Sequence, residues 1–140
     1  MRDTLESLNV SDPEIVFFNT DYYGGEGIHW ILLVIDPIRS TLLYYDPLGE
    51  SYKKYEEIKT FAKKNNLRIT EYKQKTQYID SSSCGFHAMY VAKILNPILK
   101  KGDLSSSNFI KTIHNEIGGR PSFESNQKVL KYAVKNKLLY

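Results

Sequence analysis

The sequence predicts an α+β fold, with strands in its first half and helices in its second. Three observations carry that expectation. Residues 28–36 (IHWILLVID) form a continuous apolar run that stops at Pro37, which fits a buried strand. Residues 41–46 (TLLYYD) follow after a short turn, so the two runs read as a hairpin. From Cys84 onward, Ala88, Val91, Ala92 and Leu95 share one helical face. Strands in the middle with helices after them suggest separate layers rather than alternating βα units.

The remaining elements follow in chain order. The first ten residues have room for one or two helical turns, and residues 14–18 (EIVFF) read as a short strand. Residues 19–27 hold Asn, Asp and three glycines, which is turn chemistry. Asp46-Pro47-Leu48-Gly49 is a second turn. Over 51–65, Tyr55, Ile58, Phe61 and Ala62 recur at helical spacing among lysines, so a surface helix ending near Asn65-Asn66 is expected. Residues 67–74 (LRITEYKQ) alternate as a strand does, and 75–83 form a polar loop. The helix beginning at Cys84 is expected to end at Pro97. Two more helices are expected near 105–117 and 123–137, separated by Gly118-Gly119-Arg120-Pro121.

At 140 residues and 41% apolar composition, the chain reads as one globular domain able to bury a core. No apolar run exceeds residues 30–35 (WILLVI), which is too short to cross a bilayer, and the polar, acidic N-terminus does not read as a signal peptide. A single cysteine excludes an internal disulfide framework and fits a reducing compartment. The net charge of +3 is uneven: residues 1–50 carry 2 basic and 9 acidic side chains, residues 51–140 carry 17 and 7. A basic second part attracts polyanions, but lysines without a dense run also fit solvated helix faces.

Cys84 stands at the start of its helix, after three serines and before Gly85. Unpaired N–H groups and the positive end of the helix dipole stabilise a thiolate there, and glycine lets a substrate backbone come close. On this stretch alone, a small buried residue at a helix start fits as well as a nucleophile. A nucleophilic thiol also needs a base, and the base needs an orienting acid. His29 opens the most apolar strand. If 29–36 and 41–46 pair as a hairpin, the start of one strand lies beside the end of the other, so Asp46 neighbours His29. Asp36 falls at the far end of that strand. His87 lies one helical turn beyond Cys84 without an evident orienting acid, and His114 reads as a surface residue. Three dispersed histidines and one cysteine make a poor metal signal.

The ordered set of His29-Trp30, Asp46 17 positions on, Gln77, and Cys84-Gly85 resembles the adenain-type cysteine proteases. These are maturation proteases of adenoviruses and related DNA viruses, and they share a fold with the SUMO- and ubiquitin-like-protein-specific proteases. The likeness spans residues 16–30, 44–49 and 76–85, and more weakly 126–139. It implies a permuted papain-like fold, with a mixed central sheet packed against the helix that carries the nucleophile. It further implies Cys84 as nucleophile, His29 as general base, Asp46 as orienting acid and Gln77 as oxyanion donor. Without it, Gln74 would be as good a choice as Gln77. Trp30 and Gly85 would shape the substrate groove.

The resemblance implies an endopeptidase that cuts viral capsid or core precursors after small, glycine-containing sequences, inside the virion and host cell. No cofactor is needed for the chemistry, although a DNA activator, through the basic residues of 51–140, or a peptide activator fits the family. With one thiol, an activator tethered by a disulfide would consume the nucleophile. Neither a membrane nor a second copy of the chain is required, so a monomer is expected. Two other readings remain open: an isopeptidase acting on ubiquitin-like conjugates of the host, and a non-catalytic, DNA-associated domain.

Overall fold

The computed structural model describes residues 5, 8, 10–19, 29–77, 84–119 and 121–135, with Cys84 and Val134 described by their backbone alone. Of the first ten residues, where a helical turn or two is expected, only 5, 8 and 10 are described, and the glycine-rich turn expected at 19–27 lies outside the described residues beyond Asn19. Among the described residues, four strands form one sheet: β1 (Glu14–Asn19), β2 (Trp30–Asp36), β3 (Thr41–Tyr45) and β4 (Arg68–Tyr72), in that spatial order. β1 and β3 both pair antiparallel to β2, whereas β4 lies parallel to β3. The sheet is therefore mixed, and the fold is α+β.

Helix α1 (Glu56–Lys64) makes the crossover between the parallel strands. A 3-10 turn over Tyr52–Lys54 precedes it, with the Ser51 hydroxyl accepting the Lys53 N–H. The expected single helix over 51–65 is thus two pieces. Beyond the sheet come α2 (Cys84–Lys100), α3 (Ser106–Ile113) and α4 (Ser122–Lys135). Ser105 caps α3 by accepting the Asn108 N–H. A π-helical segment, His114–Gly118, continues from α3.

β2 and β3 are buried on both faces, which explains their unbroken apolar runs. Side chains alternate across a strand. Leu32, Val34, Leu43 and Tyr45 pack with Val91 and Leu95 of α2, Phe109 of α3 and Val129 of α4. Ile31, Leu33, Ile35, Leu42 and Tyr44 pack with Ile58, Phe61 and Ala62 of α1. The sheet is the middle layer of three. Each fully buried Leu or Ile contributes about 1.5–3 kcal/mol relative to exposure.

Pro97 does not end α2, which runs on to Lys100. A helix-interior proline forfeits one backbone hydrogen bond. Ile98 and Leu99, just beyond it, pack against the main core, and that burial offsets the loss.

Candidate active site

The turn after β3 gathers the site. Asp46 is fully buried. Its Oδ1 accepts the Leu48 N–H at 2.8 Å, and its backbone carbonyl accepts the Gly49 N–H at 2.8 Å. Gly49 sits at φ +74, where an added Cβ would also lie 3.0 Å from the Lys75 nitrogen, so glycine suits this turn twice over. The Asp46 carboxylate is therefore held rigidly with one side facing β2.

His29 directly precedes β2, and the hairpin register brings it to that carboxylate. Its Nε2 lies 2.7 Å from Asp46 Oδ1, with the ring 18% exposed and the carboxylate fully buried. A carboxylate only accepts, so Nε2 carries the hydrogen and, in the neutral ring, the basic lone pair is on Nδ1. Asp36, the alternative acid, is occupied elsewhere. Its Oδ1 accepts the Ile38 and Arg39 N–H groups in the hairpin turn, and its Oδ2 lies 3.6 Å from Arg39 Nε.

Gln77 is buried and follows the Asp46 turn in space. The Pro47 carbonyl accepts the N–H groups of both Thr76 and Gln77 at 2.9 Å. Gln74, the alternative, is exposed, and its Oε1 accepts the Tyr72 hydroxyl at 2.9 Å. Cys84 is the first residue of α2, and its side chain lies outside the described residues. The link between this helix and β2 is made one residue further along each element. A Cβ added at Gly85 would lie 3.3 Å from Trp30 Cδ1, so the indole packs directly on the glycine backbone. The residue after the histidine thus touches the residue after the cysteine.

The six residues of the expected ordered set fall within residues 6–96, the span that matches the family model described as adenovirus endoprotease. The chain belongs to the adenovirus endoprotease family. This is a family of cysteine-type peptidases. The chain is 31% identical over 98 residues to the protease of frog adenovirus 1, covering 61% of this chain and 48% of that one. It is 35% identical over 78 residues to a protein of Acanthamoeba polyphaga mimivirus named as a thiol protease, covering 51% and 26%. The chain therefore spans about half the length of the first relative and about a quarter of the second. No solved structure gives a significant match.

The other two histidines have separate surroundings. His114 is exposed, with Nδ1 3.5 Å from the Tyr72 hydroxyl. His87 is fully buried, and both its ring nitrogens meet protein atoms: Nδ1 lies 3.3 Å from Thr76 Oγ1 and Nε2 lies 3.0 Å from Asn126 Oδ1. Burial pushes its pKa down to about 4, partly opposed by the Asn126 hydrogen bond. The sequence offers His87 only as a base for the neighbouring thiol and gives no sign of Thr76 or Asn126. Asn126 is 39 positions away on the last helix, and no spacing rule links the two. No group of acidic, histidine and cysteine side chains suited to a metal ion occurs among the described residues. No described helix is long and apolar enough to cross a membrane.

Proposed function

We propose that this protein is a thiol endopeptidase of viral maturation, a single domain over 1–140 with a permuted papain-like arrangement. The 2.7 Å pairing of His29 with Asp46, beside the contact of Trp30 with Gly85, carries the reading. In the proposed mechanism His29 Nδ1 takes the Cys84 thiol proton, and Asp46 holds the ring through Nε2–H. The thiolate attacks the scissile carbonyl carbon and forms a C–S bond. The Gln77 side-chain amide and the Cys84 N–H receive the negative charge on oxygen. The tetrahedral species collapses, the C–N bond breaks, and His29 returns the proton to the departing amine. A water deprotonated by His29 then attacks the thioester and releases the carboxylate product and the thiolate.

The relatives are viral proteases by name, which supports capsid or core precursors as substrates within the virion and host cell. The Trp30 indole packed on Gly85 leaves little space beside the helix start, which supports a preference for small residues such as Gly-Gly before the cut. The chemistry needs no metal, the basic residues of 51–140 offer DNA an activating surface, and one copy of the chain suffices. The test is cleavage of a fluorogenic Gly-Gly peptide by the wild type beside Cys84→Ala. Turnover lost in the variant is the expected result. Equal turnover in both sinks the nucleophile assignment.

A further inference from the structure

A buried polar chain that takes no part in the chemistry above links the elements that carry it. The Tyr45 hydroxyl lies 2.5 Å from Thr76 Oγ1, Thr76 Oγ1 lies 3.3 Å from His87 Nδ1, and His87 Nε2 lies 3.0 Å from Asn126 Oδ1. Tyr45, Thr76 and His87 are fully buried, and Asn126 is 7% exposed. The chain joins β3, the segment leading to Gln77, the Cys84 helix and α4.

Its hydrogen atoms have one consistent order. Asn126 Oδ1 only accepts, so His87 Nε2 donates. In a neutral ring Nδ1 then only accepts, so the Thr76 hydroxyl donates to it. That hydroxyl has a single hydrogen, so the Tyr45 hydroxyl donates to Thr76. A protonated ring would put a second N–H against Thr76 and break the order. Desolvation of His87 acts in the same direction, because it disfavours the charged ring.

We propose that His87 is a positioning residue, whose neutral ring with its proton on Nε2 locks the Thr76–Gln77 segment against the helix that begins at Cys84. The inference rests on the peptidase reading, because it assigns His87 an effect on turnover through Gln77. Thr76 is the residue directly before Gln77, and His87 is one helical turn from Cys84. A hydrogen bond between them fixes how far the Gln77 amide stands from the Cys84 N–H. Both groups must reach the same oxygen, and a displacement of about 1 Å costs on the order of a hundredfold in rate.

The test is steady-state cleavage of the Gly-Gly peptide by wild type, His87→Phe, His87→Gln and Gln77→Ala, and by the double variant of Gln77→Ala with His87→Phe. Phe fills the ring's space without its hydrogen bonds. Gln presents an acceptor oxygen and a donor NH2 group, so it can replace both hydrogen bonds of the neutral ring. His87→Phe is expected to lower kcat about 10–100-fold with KM nearly unchanged, and His87→Gln to recover most of the loss. In the Gln77→Ala background, His87→Phe is expected to cost less than about twofold, because residues acting through one another are non-additive. Alkylation of Cys84 by iodoacetamide forms no oxyanion, so its rate should be unchanged in His87→Phe.

An undiminished effect in the Gln77→Ala background overturns the proposal, as does a His87→Gln variant as slow as His87→Phe. A parallel fall in alkylation also overturns it, by showing general disruption of the helix start. If His87→Phe does not fold, Thr76→Val breaks the same chain and takes its place in the cycle. Nitrogen NMR of the wild type at pH 7 supplies a readout free of activity: a proton on Nδ1 of His87 overturns the relay whatever the kinetics. Wild type no faster than Cys84→Ala overturns the peptidase reading itself. An active wild type with additive variants overturns only the positioning role.

Discussion

The His29 ring is partly exposed and faces a buried carboxylate, whereas the His87 ring is fully buried and faces a hydroxyl and an amide. The difference sets what each can do. For His87 it also sets a pH dependence of stability. Its folded pKa of about 4 lies below the ordinary 6.5, so the unfolded chain binds this proton first as pH falls. The stability it contributes is present above pH 6.5 and is lost as pH falls toward 4. Between pH 7 and pH 5 the loss is about 2 kcal/mol. Urea unfolding at both pH values should show this difference in wild type and a smaller one in His87→Gln. At the His29–Asp46 pair, Asp46→Asn is expected to lower kcat about 10²–10⁴-fold with a smaller effect on KM, because the ring loses the negative charge that stabilises its protonated form and selects its tautomer. An unchanged kcat would remove Asp46 from the mechanism. The pairing of His29 with Asp46 was legible in the sequence, because antiparallel pairing puts the start of one strand beside the end of the next. The surroundings of His87 were not legible, because Thr76 and Asn126 reach it only through tertiary packing.

At the scale of the element, two departures from local rules are open to measurement. The π-helical segment ends where Gly118 meets Tyr72. A Cβ there would lie 1.5 Å from the Tyr72 hydroxyl oxygen and 2.7 Å from Cζ, and the ring is buried against Tyr45. Gly118→Ala is therefore expected to destabilise the protein by about 1–3 kcal/mol in chemical denaturation. Adding Tyr72→Phe should return only part of that, since the ring carbon remains too close. The Gly-Gly pair read in the sequence as a simple break between helices, and a ring from β4 packed on it leaves no local trace. The other departure is Pro97. Pro97→Ala restores a donor to the interior of α2 and is expected to stabilise the fold by about 1 kcal/mol, less than the full helix penalty because proline also restricts the unfolded chain. Thermal unfolding would check the sign. The expectation that Pro97 ends the helix failed because the apolar residues after it continue the helical period into the core.

For the whole molecule, the continuous apolar runs of β2 and β3 announced a sheet covered on both faces, and α1 on one side with α2, α3 and α4 on the other supply the cover. The parallel docking of β4 against β3 was not legible, since sequence alternation does not fix strand direction. With one cysteine in 140 residues, inactivation by iodoacetamide should be complete at one label per chain, and mass spectrometry of the partly inactivated protein should show label and lost activity in step. Residual turnover at full labelling would place the nucleophile elsewhere. The Pro47 carbonyl, which accepts two N–H groups from a segment 29 residues later in the chain, has a consequence for local opening. The amide protons of Thr76 and Gln77 have a common acceptor, and Gly49 closes the turn that presents it. The three should exchange with deuterium as one cooperative unit rather than as independent positions. Any opening that frees the Gln77 segment then also releases the turn holding Asp46, so the placements of Asp46 and Gln77 are lost and regained together.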